Sequence, residues 1–270
     1  MTPNQPGEPP KQPIPGVEHL IAVGSGKGGV GKTTVSVNLA VALAGLGHKV
    51  GLLDADVYGP NVPLMMGIQE PPEMRGELIQ PLEQYGVKLM SMGFLNPGDS
   101  PLIWRGPMLH KVIQQFVRGV DWGELEYLII DLPPGTGDVQ LSLIQTVPIT
   151  GAIVVTTPSD VSLEDARKAI HMFRQVRVEI LGIVENMSCL ICPHCHERVD
   201  VFSTGGGKRT ADEMEFVIEI ITAIRNIRGE MNVPPGEQIP CLLRTSDKEN
   251  EQRLNPPVVG SPGFAPADLF

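Results

Sequence analysis

The residues most suited to chemistry lie between Gly26 and Thr33, Gly-Lys-Gly-Gly-Val-Gly-Lys-Thr, followed by Thr34. They satisfy the phosphate-cradling pattern G-x-x-x-x-G-K-[ST]. Gly26, Gly28, Gly29, Val30 and Gly31 present backbone N–H groups that can converge on a phosphate without Cβ interference. Lys32 is placed to reach the β/γ-phosphates of a nucleoside triphosphate, and Thr33 to hold Mg²⁺ through its hydroxyl. Two further acidic segments suit the same chemistry. Asp54-Ala-Asp56 supplies two carboxylates that can hold Mg²⁺-bound water or orient the attacking water. Asp131-Leu-Pro-Pro-Gly-Thr-Gly-Asp138 ends a buried run with an acid, the usual second Mg²⁺ position of such sites. Thiols form a separate group: Cys192-Pro-His-Cys195 offers two on one tight turn, with Cys189 three residues earlier.

These residues need a frame that brings them to one edge. His19–Val23 leads into the glycine loop and Val35–Leu46 leads out with helical spacing. Lys49–Asp54, Val87–Met92, Tyr127–Asp131, Gly151–Thr156 and Ile180–Val184 read as strands. Pro107–Val117 and Ser162–Val176 read as helices. Short apolar strands joined by helical crossovers predict an α/β fold, a doubly wound and mostly parallel sheet of the P-loop NTPase kind. Ligands of such sheets sit at the carboxyl ends of the strands, where the loop, Asp54 and Asp131 all fall.

Composition sets the limits. The chain has 270 residues, a hydrophobic content of 41% and a formal net charge of −10. That charge argues against direct nucleic-acid binding or attachment to an anionic membrane, both of which need a cationic surface. No apolar run approaches a membrane span. Met1–Gly16 holds six prolines and no apolar core segment, so residues 1–16 are expected to be a disordered leader without a signal peptide. The protein is expected to be cytoplasmic, where cysteines serve as ligands or inert thiols rather than disulfides.

The second loop lysine, Lys27, resembles the early lysine of the deviant P-loop ATPases, which reaches across a dimer interface to the partner's nucleotide. A wider set of motifs resembles the Mrp/ApbC family of ATP-dependent iron–sulfur cluster carriers. These are the glycine loop, Asp54-Ala-Asp-Val-Tyr-Gly-Pro60, Trp104-Arg-Gly-Pro-Met108, Asp131–Asp138, Val184-Glu-Asn-Met187, Cys192–Cys195 and Phe202-Ser-Thr-Gly-Gly-Gly207. The resemblance implies an ATP-hydrolysing homodimer that passes a [4Fe–4S] cluster to apo iron–sulfur proteins. Lys27, Lys32, Thr33 and Asp131 match its ATP and Mg²⁺ positions, Asp56 its water-orienting residue, and Asn186 its adenine contact. Cys192 and Cys195 match its cluster ligands; a cluster that takes four thiolates then draws two from each subunit. His194 and His196 keep structural zinc as a competitor. Cys189, a third thiol at the same spacing, is either a spare or exchange ligand or, the preferred reading, a buried small residue, and His19, His48, His110 and His171 are ordinary structural or surface residues. A partition or positioning ATPase is the alternative reading, disfavoured by the thiol pair and the acidic charge.

The resemblance covers residues 17–214 and stops near Met214. From Phe216 the chain is similar to a fragment of the C-terminal region of valyl-tRNA synthetases, without the motifs of aminoacylation. Residues 215–270 are therefore expected to be an atypical extension, helical to about Met231 and then disordered, in keeping equally with a truncated fusion product or a true extension.

Overall fold

The protein is described by a computed structural model, which covers residues 11–56, 59–95, 115–200, 204–212 and 214. The chain divides into two compact units, Met1–Thr210 and Ala211–Phe270. The expected helix 215–231, the motif Trp104–Met108, residues 107–114 of the expected helix Pro107–Val117, His110 and Cys241 lie outside the described residues.

The first unit is built on a seven-stranded sheet. Its strands are β1 (Val17–Gly24), β2 (Val50–Asp54), β5 (Leu82–Gln84), β6 (Val87–Ser91), β7 (Leu125–Asp131), β8 (Gly151–Thr156) and β9 (Ile180–Glu185). Their order across the sheet is β5-β6-β2-β7-β1-β8-β9, and all neighbours are parallel except the short edge strand β5. Every residue of β2 is buried, as are Leu20–Gly24 of β1 and Leu128–Asp131 of β7. A central parallel strand is covered on both faces, so its sequence is a continuous apolar run rather than an alternating one.

Helices α1 (Lys32–Gly45) and α4 (Asp160–Gln175) supply much of that cover. Val37 and Ala40 of α1 join Ile21, Leu52, Leu89, Ile129 and Val155 in one apolar cluster. Leu163, Ala166, Ile170 and Phe173 form the buried stripe of α4, at the spacing of one helical face. Two shorter helices, α2 (Val62–Met66) and α3 (Asp138–Thr146), follow the acidic segments. Residues 206–210 are also helical. Two small hairpins stand apart from the main sheet: β3 (Met74–Arg75) with β4 (Leu78–Ile79), and β10 (Cys189–Ile191) with β11 (Arg198–Asp200).

Register places the acids. Asp54 of β2 lies opposite Asp131 of β7 on one side and Ser91 of β6 on the other. Val23, just before the glycine loop, pairs with Asp131 from the opposite side. Parallel strands in register point matched side chains to the same face, so three strand ends deliver their polar residues to one spot. Among the described residues no helix is long and apolar enough to cross a membrane.

Candidate functional site: a nucleotide loop beside a cysteine hairpin

The glycine loop turns tightly between β1 and α1. Gly31 caps α1 with φ 84°, a left-handed conformation that costs glycine little. A side-chain carbon at Gly31 would collide with the carboxamide nitrogen of Asn186, and one at Gly26 with the backbone of Asp165. Close approach therefore demands glycine at both positions, and conformation demands it at Gly31 as well. Ser25 fastens the loop internally, its hydroxyl donating to the Lys27 carbonyl at 2.9 Å. The loop after β7 joins it: Gly135 donates its N–H to the Ser25 carbonyl at 3.0 Å.

Beneath the loop three side chains close on one carboxylate. Lys32 Nζ lies 2.8 Å from Asp131 Oδ1, and both side chains are buried. The Ser36 hydroxyl donates to the same oxygen at 2.7 Å, and the Thr33 hydroxyl to Oδ2 at 2.8 Å. Thr33 and Asp131 thus stand side by side at the start of α1. Hydroxyl and carboxylate oxygens are the hard donors that Mg²⁺ prefers, so this pair fits that ion. Ser36 escaped the sequence reading. Its signal was the spacing, three residues after Thr33 and on the same helix face.

Asp54 is fully buried beside Asp131. Its Oδ2 accepts from the Ser91 hydroxyl at 2.9 Å and the Val62 N–H at 3.2 Å; Oδ1 accepts from the Asp56 N–H at 3.2 Å. All these bonds fix the loop from β2 into α2. Asp56 is buried and accepts from the Gly59 N–H at 3.3 Å. Burial, and then the charge of Asp131, push the Asp54 carboxyl from 3.8 up to about 7, against its three hydrogen bonds.

A pH dependence follows from this shift. The folded protein holds a proton on Asp54 that the unfolded chain has released between about pH 4 and pH 7, so raising the pH through that window lowers stability. The loss is on the order of 4 kcal/mol, complete above about pH 7. Denaturant unfolding of nucleotide-free, metal-free protein should therefore show Asp54→Asn losing less stability than the parent between pH 5 and pH 8. Parallel pH curves for the two proteins would contradict the shift.

Lys27 is half-buried on the rim of the loop. Asn186 follows β9 and leans on the loop, its carboxamide donating to the Val30 carbonyl at 2.9 Å while its backbone N–H donates to the Thr156 carbonyl at 2.8 Å.

The cysteines occupy a different element. Cys192–Cys195 forms the tip of the β10–β11 hairpin, whose strand residues are all exposed. Cys192 is half-buried and Cys195 exposed. The backbone N–H groups of Cys195, then His194, and the Cys195 thiol donate to the Cys192 sulfur and hold its thiol below the ordinary range. A turn that aims amide N–H groups at a sulfur is suited to binding metal through thiolates. Cys195 itself lies 3.9 Å from Glu197 Oε2. Among the described residues no three His, Cys, Asp or Glu side chains gather as metal ligands, so the turn by itself offers two thiols. Cys189 is exposed on β10, opposite Asp200, and is not the buried filler expected from sequence. A two-stranded hairpin has no second layer to bury a side chain against, which is why a small apolar residue there stays in solvent.

A parallel sheet with a phosphate loop at its carboxyl edge defines a P-loop NTPase. The chain belongs to one family within that class: the NUBPL iron-transfer P-loop NTPase model matches residues 16–256, continuing past Met214. An iron–sulfur cluster carrier protein of Synechocystis is 53% identical over 219 residues, which is 79% of this chain and 62% of the relative. A mitochondrial iron–sulfur protein of Arabidopsis thaliana required for NADH dehydrogenase is 53% identical over 232 residues, 84% of this chain and 72% of that protein. The chain thus spans less than two thirds of the first relative's length. A solved nucleotide-binding protein of Archaeoglobus fulgidus in complex with ADP superimposes with TM-score 0.67 at 40% identity, covering 75% of this chain and 80% of that one.

Proposed function

We propose that the protein is an ATP-hydrolysing carrier that holds a [4Fe–4S] cluster between two copies of the chain and passes it to apo iron–sulfur proteins. The observation that carries this reading is the exposed Cys192–Cys195 turn, with amide N–H groups directed at the Cys192 sulfur. A buried, inert thiol pair would need neither the exposure nor the directed donors. Membership of an iron-transfer family supports the carrier over a partition ATPase. Two thiolates per chain supply the four that such a cluster commonly takes only when two chains meet.

On the nucleotide side, the loop N–H groups receive the phosphates, and Lys32 exchanges Asp131 for the β/γ-phosphate oxygens. Mg²⁺ held by Thr33 and Asp131, with Asp54 behind them, would neutralise charge on those oxygens. Asp56 orients a water for attack on the γ-phosphorus, and the bond from that phosphorus to the ADP oxygen breaks. Asn186 borders the adenine, and Lys27 reaches the nucleotide of the second copy. Turnover is slow and gated by rearrangement of the dimer.

Two measurements test this. Cluster-loaded protein mixed with an apo [4Fe–4S] protein should restore the recipient's absorbance and deplete its own; loss of the cluster to solution without gain by the recipient would contradict a carrier. Lys27→Ala should bind ATP within about twofold of the parent and lose roughly tenfold or more in hydrolysis, as expected for a group acting mainly in the transition state. Equal loss of binding and hydrolysis would remove Lys27 from that role.

A further inference from the structure

The chain leaves the sheet at the end of β9, makes the cysteine hairpin, and returns at Gly205. Both ends of this excursion are pinned by neighbouring residues. Glu185, the last residue of β9, accepts from the Gly205 N–H with Oε1 at 3.1 Å and from the Gly207 N–H with Oε2 at 2.6 Å. Gly205 adopts φ 80°, and a carbon added at Gly207 would meet Glu185 Cβ at 3.1 Å. The return limb is thus shaped to present two N–H groups to one carboxylate. Charge-assisted bonds of this kind are about twice as strong as neutral ones.

The next residue, Asn186, donates to the Val30 carbonyl inside the phosphate loop. Val30 sits one residue from Gly31, where the asparagine fills the space a side chain would take. Six residues separate Asn186 from Cys192. A displacement of the loop backbone would reach Asn186 through this bond and Glu185 through the adjacent peptide. Because Glu185 holds Gly205 and Gly207, the same displacement would be passed to the residues where the chain returns. Without that grip the outgoing strand could shift while the return limb stayed behind, and the movement would dissipate in the hairpin stem.

We propose that Glu185 is a positioning residue: by clamping Gly205 and Gly207 beside Asn186, it transmits the nucleotide state of the phosphate loop to the Cys192–Cys195 turn. This rests on the reading of that turn as the cargo site, but its test needs no cargo.

The experiment uses full-length, reduced, metal-free protein. Alkylation rates of Cys192 and Cys195 by iodoacetamide are followed by peptide mass spectrometry, with and without a slowly hydrolysed Mg²⁺–ATP analogue. In the parent, nucleotide should change the rate at one or both thiols by about fivefold or more, the range of ordinary site-to-site coupling. Glu185→Ala should bring that ratio close to one while nucleotide affinity, measured by titration, stays within about twofold. Glu185→Gln, which keeps one acceptor oxygen, should give an intermediate ratio, and it decides the question if the alanine variant does not fold. A merely structural role would alter alkylation equally with and without nucleotide. A parental ratio in Glu185→Gln and in folded Glu185→Ala would overturn the proposal, as would a parent that shows no nucleotide response. Those results leave the carrier reading standing when the same protein still loads and delivers a cluster; failure to take up iron would instead strike the carrier reading itself.

Discussion

Replacing Lys32 by alanine is expected to abolish ATP binding and, independently, to destabilise the nucleotide-free protein by about 3–5 kcal/mol. The first effect follows from the loss of the only loop side chain that the phosphate-binding pattern places at the β/γ-phosphates. The second follows from the buried pair that Lys32 makes with Asp131. Asp131 is fully buried, and Lys32 is the cation at 2.8 Å from its Oδ1. Removing the lysine leaves a buried carboxylate with only the hydroxyls of Thr33 and Ser36. Breaking a buried pair from one side costs far more than the pair contributes net, because the remaining charge has lost its compensation. Urea unfolding of the empty protein should show the loss directly, alongside titration with ATP. An unchanged unfolding midpoint would mean that the pair does not hold the empty loop together.

Replacing Cys192 or Cys195 by alanine is expected to remove the iron chromophore entirely while leaving ATP affinity within about twofold, since neither thiol belongs to the phosphate loop or to the strands that frame it. In the proposed dimer each substitution would take two thiolates at once, one per chain, and a [4Fe–4S] cluster left with two protein ligands would not be retained. Cys189→Ala should keep at least half of the parental iron. Its thiol is exposed, yet it projects from β10 opposite Asp200 rather than from the turn. Iron content and absorbance after anaerobic reconstitution, read beside ATP titrations, check all three variants. Retained iron in Cys192→Ala would move the cluster elsewhere.

Much of the frame was legible because buried parallel strands have an unmistakable composition. Gly151–Thr156 was read to the residue, and Lys49–Asp54, Tyr127–Asp131 and Ser162–Val176 to within two residues at either end. Helix α2 was not foreseen: it has five residues, too short for periodicity, and Asn61-Val-Pro63 reads as a turn. Helix α3 was hidden by the run of proline and glycine before it. The hairpin β10–β11 has three residues per strand and no alternation, so only its tip was visible as chemistry. At the site, residue types announced the loop, Asp54, Asp131 and the thiols, because few patterns satisfy phosphate or metal. Ser36, Ser91 and Glu185 were not announced. Their roles come from contacts across 95, 37 and 20 to 22 residues of chain, which a local pattern does not encode. Cys189 was misplaced for the same reason, since its exposure depends on the hairpin standing free of the main sheet.

In the proposed carrier, two copies of this chain share one cluster through Cys192 and Cys195. Native mass spectrometry of anaerobically reconstituted protein, with iron, sulfide and zinc quantified on the same sample, tests it most directly. The expected result is a dimer carrying about four iron and four sulfide in total, that is, about two of each per chain. A chain that holds stoichiometric zinc and no iron, or a monomer with a complete cluster of its own, would contradict it.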